Sequence, residues 1–250
     1  MPTNTGNLKE MEIVNHLNNK KIKDLSNNLR SLVQALYGPL EENKKVKCEL
    51  VEGFIKPDFV ITYNGEKKYV SMKTGRAEVV HQENIKSFIL FLRSLGVSAE
   101  TQKTILFYQY GDGTLDGSGE QRFNYNRLRV LLEDRIDRAN HELNNDIEII
   151  RKVIDRCIIT GTLENAIPID GLYFGDVNYG EIMTVKQLKR HIDKKDWLWM
   201  KNLHIGPIQI RPHARYIGKE IKNPEAREKV ECYWANLSAD VSFISGRYDY

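Results

Sequence analysis

Residues 56–75, KPDFVITYNGEKKYVSMKTG, decide the reading of this chain. Two runs of alternating apolar and polar residues flank Asn64-Gly65, the dipeptide best suited to a type I′ turn, which needs positive φ at both central positions. A two-residue loop fixes the register: Tyr63 faces Glu66, Val60 faces Tyr69 and Asp58 faces Ser71. Cross-strand partners share a face and side chains alternate with period two, so Asp58, Ser71 and Lys73 project from one side. Directly opposed Cβ atoms lie about 4.5–5.5 Å apart, and Lys73 reaches in from one diagonal step further along. Phe59, Ile61, Val70 and Met72 occupy the other side and read as core. An acid, a hydroxyl and an ammonium therefore meet at the open end of a hairpin whose other face is buried. On a solvated sheet such an Asp–Lys pair is worth well under about 1 kcal/mol, so its meaning depends on what surrounds it.

Upstream, residues 8–37 carry helical periodicity in two stretches, with a break at Asn18-Asn19-Lys20-Lys21 and an end at Gly38-Pro39. A strand is expected at 46–52, followed by the hairpin strands at 57–63 and 66–73. Downstream, the pattern predicts a helix over about 81–95 and a central strand at 104–110, TILFYQY. The Gly-rich loop 111–120 leads to a long charged helix at about 126–159, another helix at 184–196, a strand-like HIGPIQIRP at 204–212 and a mixed segment from about 225. The expected organisation is an α/β core over 1–110, a helical insertion over 111–200, and a basic C-terminal segment over 201–250 that completes the same domain.

A chain of 250 residues is long enough to bury about 70–75% of its unfolded surface, as one domain with an insertion or two small ones. With 41% hydrophobic and 28% charged residues it belongs with ordinary globular proteins, not disordered or fibrous ones. No run approaches the roughly 18 apolar residues of a membrane span, and the N-terminal sequence lacks the features of a signal peptide. A cytoplasmic location is expected. Cys48, Cys157 and Cys232 are odd in number and form no C-x-x-C pair, which argues against a disulfide framework and a zinc site. A net charge of +3 does not by itself identify a nucleic-acid partner.

A helix, a three-strand antiparallel meander bearing Pro57-Asp58 and then Ser71-Met72-Lys73, a helix and a further strand resembles the core of the PD-(D/E)xK nuclease superfamily, over roughly residues 8–110. The resemblance implies a restriction-endonuclease-like fold and a Mg²⁺-dependent endonuclease acting on DNA, of restriction or phage-related type, with Mn²⁺ as a substitute metal. It implies that Asp58 ligates the metal and Lys73 positions or activates the attacking water. Ser71 stands where the family usually has Glu or Asp, and Ser is a poor ligand for a hard cation. Some members are similar in having S-x-K with a carboxylate from the following helix, for which Glu83 and Glu78 are the candidates here. On the first helix Glu10 and Glu12 are the options for a further acid. Glu10 falls within the arc of Ile13, Val14 and Leu17, so Glu10 is preferred as a third acidic member of the site. Without a complete ligand set the same fold would be a degenerate nucleic-acid-binding protein.

Other motifs carry less chemistry. The loop Asp112–Glu120 has glycines and acids but neither calcium-loop nor phosphate-loop spacing. His81 is expected near the active edge, and His204 and His213 are expected to be structural or at the surface. Basic residues cluster at Lys186, Lys189, Arg190, Lys194 and Lys195 and again at Arg211, Arg215, Lys219 and Lys222, interleaved with Trp197, Trp199 and Tyr216. This pattern suits either a nucleic-acid backbone track with stacking rings or a solvated helix face beside core tryptophans. Lys189, Arg190, Arg211 and Arg215 are the nucleic-acid-binding candidates. DNA is the expected partner, a membrane is not, and homodimerisation is compatible with the reading.

Overall fold

The structure, a computed structural model, describes residues 5–53, 56–75, 78–119, 122–194, 196–198, 200–213 and 224–246. The chain is an α/β protein that divides into two compact units. The first comprises Met1–Ala77, Asp155–Asp193 and Asn236–Tyr250, and the second Glu78–Ile154 and Lys194–Ala235.

In the first unit, helix α1 (Thr5–Leu17) and helix α2 (Asn27–Tyr37) are separated at the expected break, where Asn19 takes a positive φ of 59°. Ser26 caps α2 by accepting from the Leu29 amide at 3.3 Å. Strands β1 (Lys47–Leu50), β2 (Phe59–Tyr63) and β3 (Glu66–Lys73) form the antiparallel meander, with the pairing Tyr63↔Glu66 and Val60↔Tyr69 that the turn requires. Asn64 and Gly65 both have positive φ, at 52° and 82°. Phe59, Ile61, Val70 and Met72 pack with Ile13 and Leu17 of α1 and Leu29, Leu32 and Val33 of α2 in one core.

The fourth strand is not 104–110. It is β5 (Gly171–Gly175), which pairs parallel to β3, followed by β6 (Gly180–Thr184) antiparallel to β5, so the sheet order is β1-β2-β3-β5-β6. The strand carrying Ser71 and Lys73 is therefore central. Leu172 and Met183, on the face opposite Tyr173 and Ile182, are buried as well. They share that side with Asp58, which is thus not a plainly solvated face.

In the second unit, residues 79–84 form strand β4 (Val79–Asn84) and the helix expected from 81 starts only at α3 (Ile85–Ser94), where Asn84 caps it. The segment TILFYQY lies in helix α4 (Ala99–Tyr110), not in a strand. Ser98 caps α4, and Glu142 of α5 (Tyr125–Asn145) holds that cap through the Ser98 amide and hydroxyl at 2.6 and 2.7 Å. Tertiary packing and the cap prevail over the β-branched and aromatic composition of the segment. The long helix ends in two pieces, α5 and α6 (Ile147–Ile154). Strands β7 (His204–Ile205), β8 (Ile208–Pro212) and β9 (Lys229–Trp234) complete an antiparallel sheet of order β4-β9-β8-β7.

These pairings redraw the expected boundaries. Residues 78–110 leave the proposed core for the second unit, and residues 155–193 of the expected insertion supply β5, β6 and helix α7 (Val185–Lys194) to the first. The C-terminal segment does not complete one domain: β7–β9 belong to the second unit and helix α8 (Leu237–Ile244) to the first.

Candidate active site at the end of the first sheet

Asp58 lies just before β2, and its backbone already follows the ladder, with its N–H donating to Val70 O at 2.9 Å and its C=O accepting from Val51 N at 3.0 Å. Its carboxylate Oδ2 accepts from the Ser71 hydroxyl at 3.0 Å and from the Met72 amide at 2.5 Å. Ser71 therefore serves as a buried donor that orients Asp58, a role that its residue type fits better than that of a ligand. Lys73 ends β3 on the same face, beside Phe174 in the register of the parallel pair.

Glu10 joins this group from α1. The helix runs antiparallel to β1: the residues after Leu17 meet Val46 and Cys48 near the start of β1, so the N-terminal half of α1 extends toward the Asp58 end. Burial raises the Glu10 carboxyl above its ordinary value, the Asp58 charge raises it further, and Lys73 opposes both. Burial likewise raises Asp58, against the Met72 amide, the Lys73 charge, the Ser71 hydroxyl and the Lys56 charge. Two half-desolvated carboxylates thus sit within electrostatic reach of each other and of one lysine. Glu12, by contrast, is exposed, and its backbone carbonyl accepts from His16.

Lys56 was not singled out as a candidate, although it opens the deciding stretch two residues before Asp58. Its ammonium donates to the Cys157 carbonyl in the π-helical turn Asp155–Ile159. The signal available was a lysine on the same strand approach as the acid, and the missing half was its anchor, about a hundred residues away in sequence.

Glu83 and Glu78 make their observed contacts within the second unit. Both belong to that unit, and Glu83 is on strand β4, not on the helix that follows the hairpin, which starts only at Ile85. Glu83 bonds His81 at 3.1 Å, and Glu78 accepts from the Tyr233 hydroxyl. His81 is thereby in the second unit too. Among the described residues no three or more His, Cys, Asp or Glu side chains converge as a metal cage. Glu10 and Asp58 remain as the carboxylate donors that could hold a cation.

The basic candidates separate. Lys189 and Arg190 are exposed on α7 of the first unit, Lys189 lying 3.5 Å from Asp155. Arg211 is in the second unit and is committed locally: its Nε donates to Glu231 at 3.0 Å and its guanidinium stacks 3.5 Å above the Tyr233 ring. His213 also joins Glu231, at 2.8 Å, and His204 is buried between the Asn202 and Trp197 carbonyls. Arg215, Lys195, Lys219, Lys222, Trp199 and Tyr216 lie outside the described residues. Asp112 is a structural residue, accepting from Thr114 and Gly119 amides and from Arg227.

No family model matches the chain, and no curated protein matches it in sequence. Among the described residues no helix is long and apolar enough to cross a membrane.

Proposed function

We propose that the chain is a Mg²⁺-dependent nuclease of restriction-endonuclease-like architecture that hydrolyses DNA phosphodiester bonds. The observation that carries the reading is the gathering of Glu10, Asp58, Ser71 and Lys73 at one end of a mixed sheet, with both carboxyls raised by burial. Two half-buried carboxylates of like charge are costly unless a cation joins them. The donor set fits Mg²⁺, which keeps several waters and takes one or two protein carboxylates together with substrate phosphate. Glu10 and Asp58 would hold it. When bound, the ion supplies positive charge at the phosphate and acidifies water. The protein's own groups then divide the remaining work. Lys73 brings an ammonium to the phosphoryl oxygens as they gain charge. Ser71 and the Met72 amide fix the rotamer of Asp58, and Lys56 adds a second positive charge within its electrostatic reach.

A non-cutting nucleic-acid-binding protein on the same fold is the second reading, favoured by the lack of a third acidic donor among the described residues. Calorimetric titration with Mn²⁺ and nicking of plasmid at low salt in about 10 mM metal separate the two. Asp58→Asn should cost both metal binding and cleavage. Lys73→Ala should stop cleavage yet leave metal binding intact or tighter, since it removes a cation and no ligand. A wild type that binds Mn²⁺ but cuts no single or double strand leaves the non-cutting reading in place. One that neither binds metal nor cuts overturns the nuclease reading.

A further inference from the structure

Tyr179 is the most exposed of the large apolar side chains described, at 83%. It sits in the tight connection between β5 and β6, and the sheet register fixes where that connection lies. Because β5 runs parallel to β3 with Lys73 opposite Phe174, and Gly175 pairs with Gly180, the tip emerges at the same end of the sheet as Lys73 and Asp58. With strands about 4.8 Å apart and about 3.3 Å of rise per residue, the Cα atoms of Lys73 and Tyr179 are roughly 12 Å apart. An ion pair ties the tip to α1, where Lys9, the residue before Glu10, lies 3.8 Å from Asp176.

The tip is braced far beyond the needs of a surface hairpin. Asp176 N donates to Tyr179 O at 2.7 Å, and Asp176 Oδ1 accepts from the Asn178 and Tyr179 amides at 2.9 and 3.1 Å. Asn28 of α2 donates to Tyr173 Oη at 2.8 Å and to the Asp176 and Val177 carbonyls at 3.3 and 3.2 Å, and its Oδ1 accepts from Gly180 N at 3.1 Å. The Tyr173 hydroxyl closes the set on Asp176 O at 2.6 Å. Gly175 has a φ of 142°, where a Cβ would collide with the Tyr179 carbonyl, and a Cβ at Gly180 would collide with the Tyr173 ring. The Tyr179 backbone is thus held on both sides while its ring is left in water. An exposed ring on a fixed backbone, at the sheet end that carries Lys73 and Lys9, can receive a stacked base along a phosphate track.

Resting on the nuclease reading, we propose that Tyr179 is a stacking platform for a nucleobase of the substrate strand, a few nucleotides from the phosphate held at Asp58 and Lys73. The ring contributes binding, not chemistry, so its loss should raise KM and leave kcat near wild type.

The test is the affinity of full-length protein for a 20-nucleotide thymidine strand, and for the same strand with abasic positions, at low salt in Ca²⁺. Tyr179→Leu should weaken the thymidine strand by about 5- to 150-fold, the range of one lost base–aromatic stack, and change the abasic strand little. Tyr179→Trp should bind at least as tightly as wild type, with additional fluorescence quenching on titration. Equal affinity of wild type and Tyr179→Leu for the thymidine strand overturns the platform, as does an equal loss on both strands. If wild type binds neither strand nor a duplex, the nuclease reading itself fails and the platform falls with it.

Discussion

The two sheets treat a buried carboxylate in opposite ways. In the second unit, Glu231 on β9 accepts from Arg211, His213 and Gln82 at 3.0, 2.8 and 3.0 Å, and Tyr233 supports the guanidinium from the neighbouring position. That cluster closes around Glu231, with donors on both of its carboxylate oxygens. In the first unit, the bonds made by Asp58 Oδ2 come from a hydroxyl and an amide, both neutral, and a second carboxylate, Glu10, has been brought toward it. Lys73 offsets this only in part, since both carboxyls stay above their ordinary values. A set that closes on itself holds a sheet together. A set that gathers like charge in a half-buried place calls for a further cation, and that difference separates a structural cluster from a candidate site.

The largest effect expected from this contrast is on Glu10. Glu10→Gln removes one of two carboxylate donors and should lower cleavage by two or more orders of magnitude with little change in thermal stability. Glu12→Gln, on the exposed side of α1, should be nearly silent in a plasmid-nicking assay. The reverse pattern would break the assignment of α1 to the site.

The closed cluster predicts a different phenotype. Arg211→Ala leaves Glu231 buried with one fewer donor, so it should destabilise the protein by about 1–3 kcal/mol in urea unfolding. It should leave the salt dependence of nucleic-acid binding unchanged. Neutralising the exposed Lys189 and Arg190 together should instead lower the slope of log affinity against log salt by about two, at unchanged stability. If Arg211→Ala flattens the salt slope without a stability loss, its pairing with Glu231 is incidental and the second sheet becomes the binding face.

Which parts of this were legible in the sequence follows the range of the interactions. The hairpin could be read to the residue, because Asn64-Gly65 and the alternation around it are local and fix the register by themselves. The choice of Glu10 over Glu12 followed from helical phase alone and agrees with the burial of the two side chains. The fourth strand could not be read in the same way. Gly171–Gly175 is five residues long, and what makes it a strand is parallel pairing with β3 across nearly a hundred residues. TILFYQY has strand-like composition, yet Ser98, Glu142 and the left-handed Gly111 set helix boundaries around it. Asn28 and Lys56 looked ordinary for a similar reason, since their partners at 173–180 and 157 are distant in sequence.

The smallest effect is also the most direct probe of the contrast. Folded-state carboxyls raised above their ordinary 3.8 for Asp58 and 4.5 for Glu10 bind protons more tightly than the unfolded chain does. Their contribution to stability is therefore fully present below those ordinary values and is lost as pH rises through the raised ones, leaving both charges at their full burial cost near neutrality. Asp58→Asn stays neutral throughout and also relieves Glu10 of a neighbouring charge. In chelator, the melting temperature of Asp58→Asn minus that of wild type should be lowest near about pH 3.5 and should climb by about 1–3 °C toward pH 7. Adding Mg²⁺ or Mn²⁺ at pH 7 should close that gap by stabilising wild type and not the variant. A difference that is flat across the range would mean that Lys73 and Lys56 already balance Asp58, and the first sheet would then hold a closed cluster like the second.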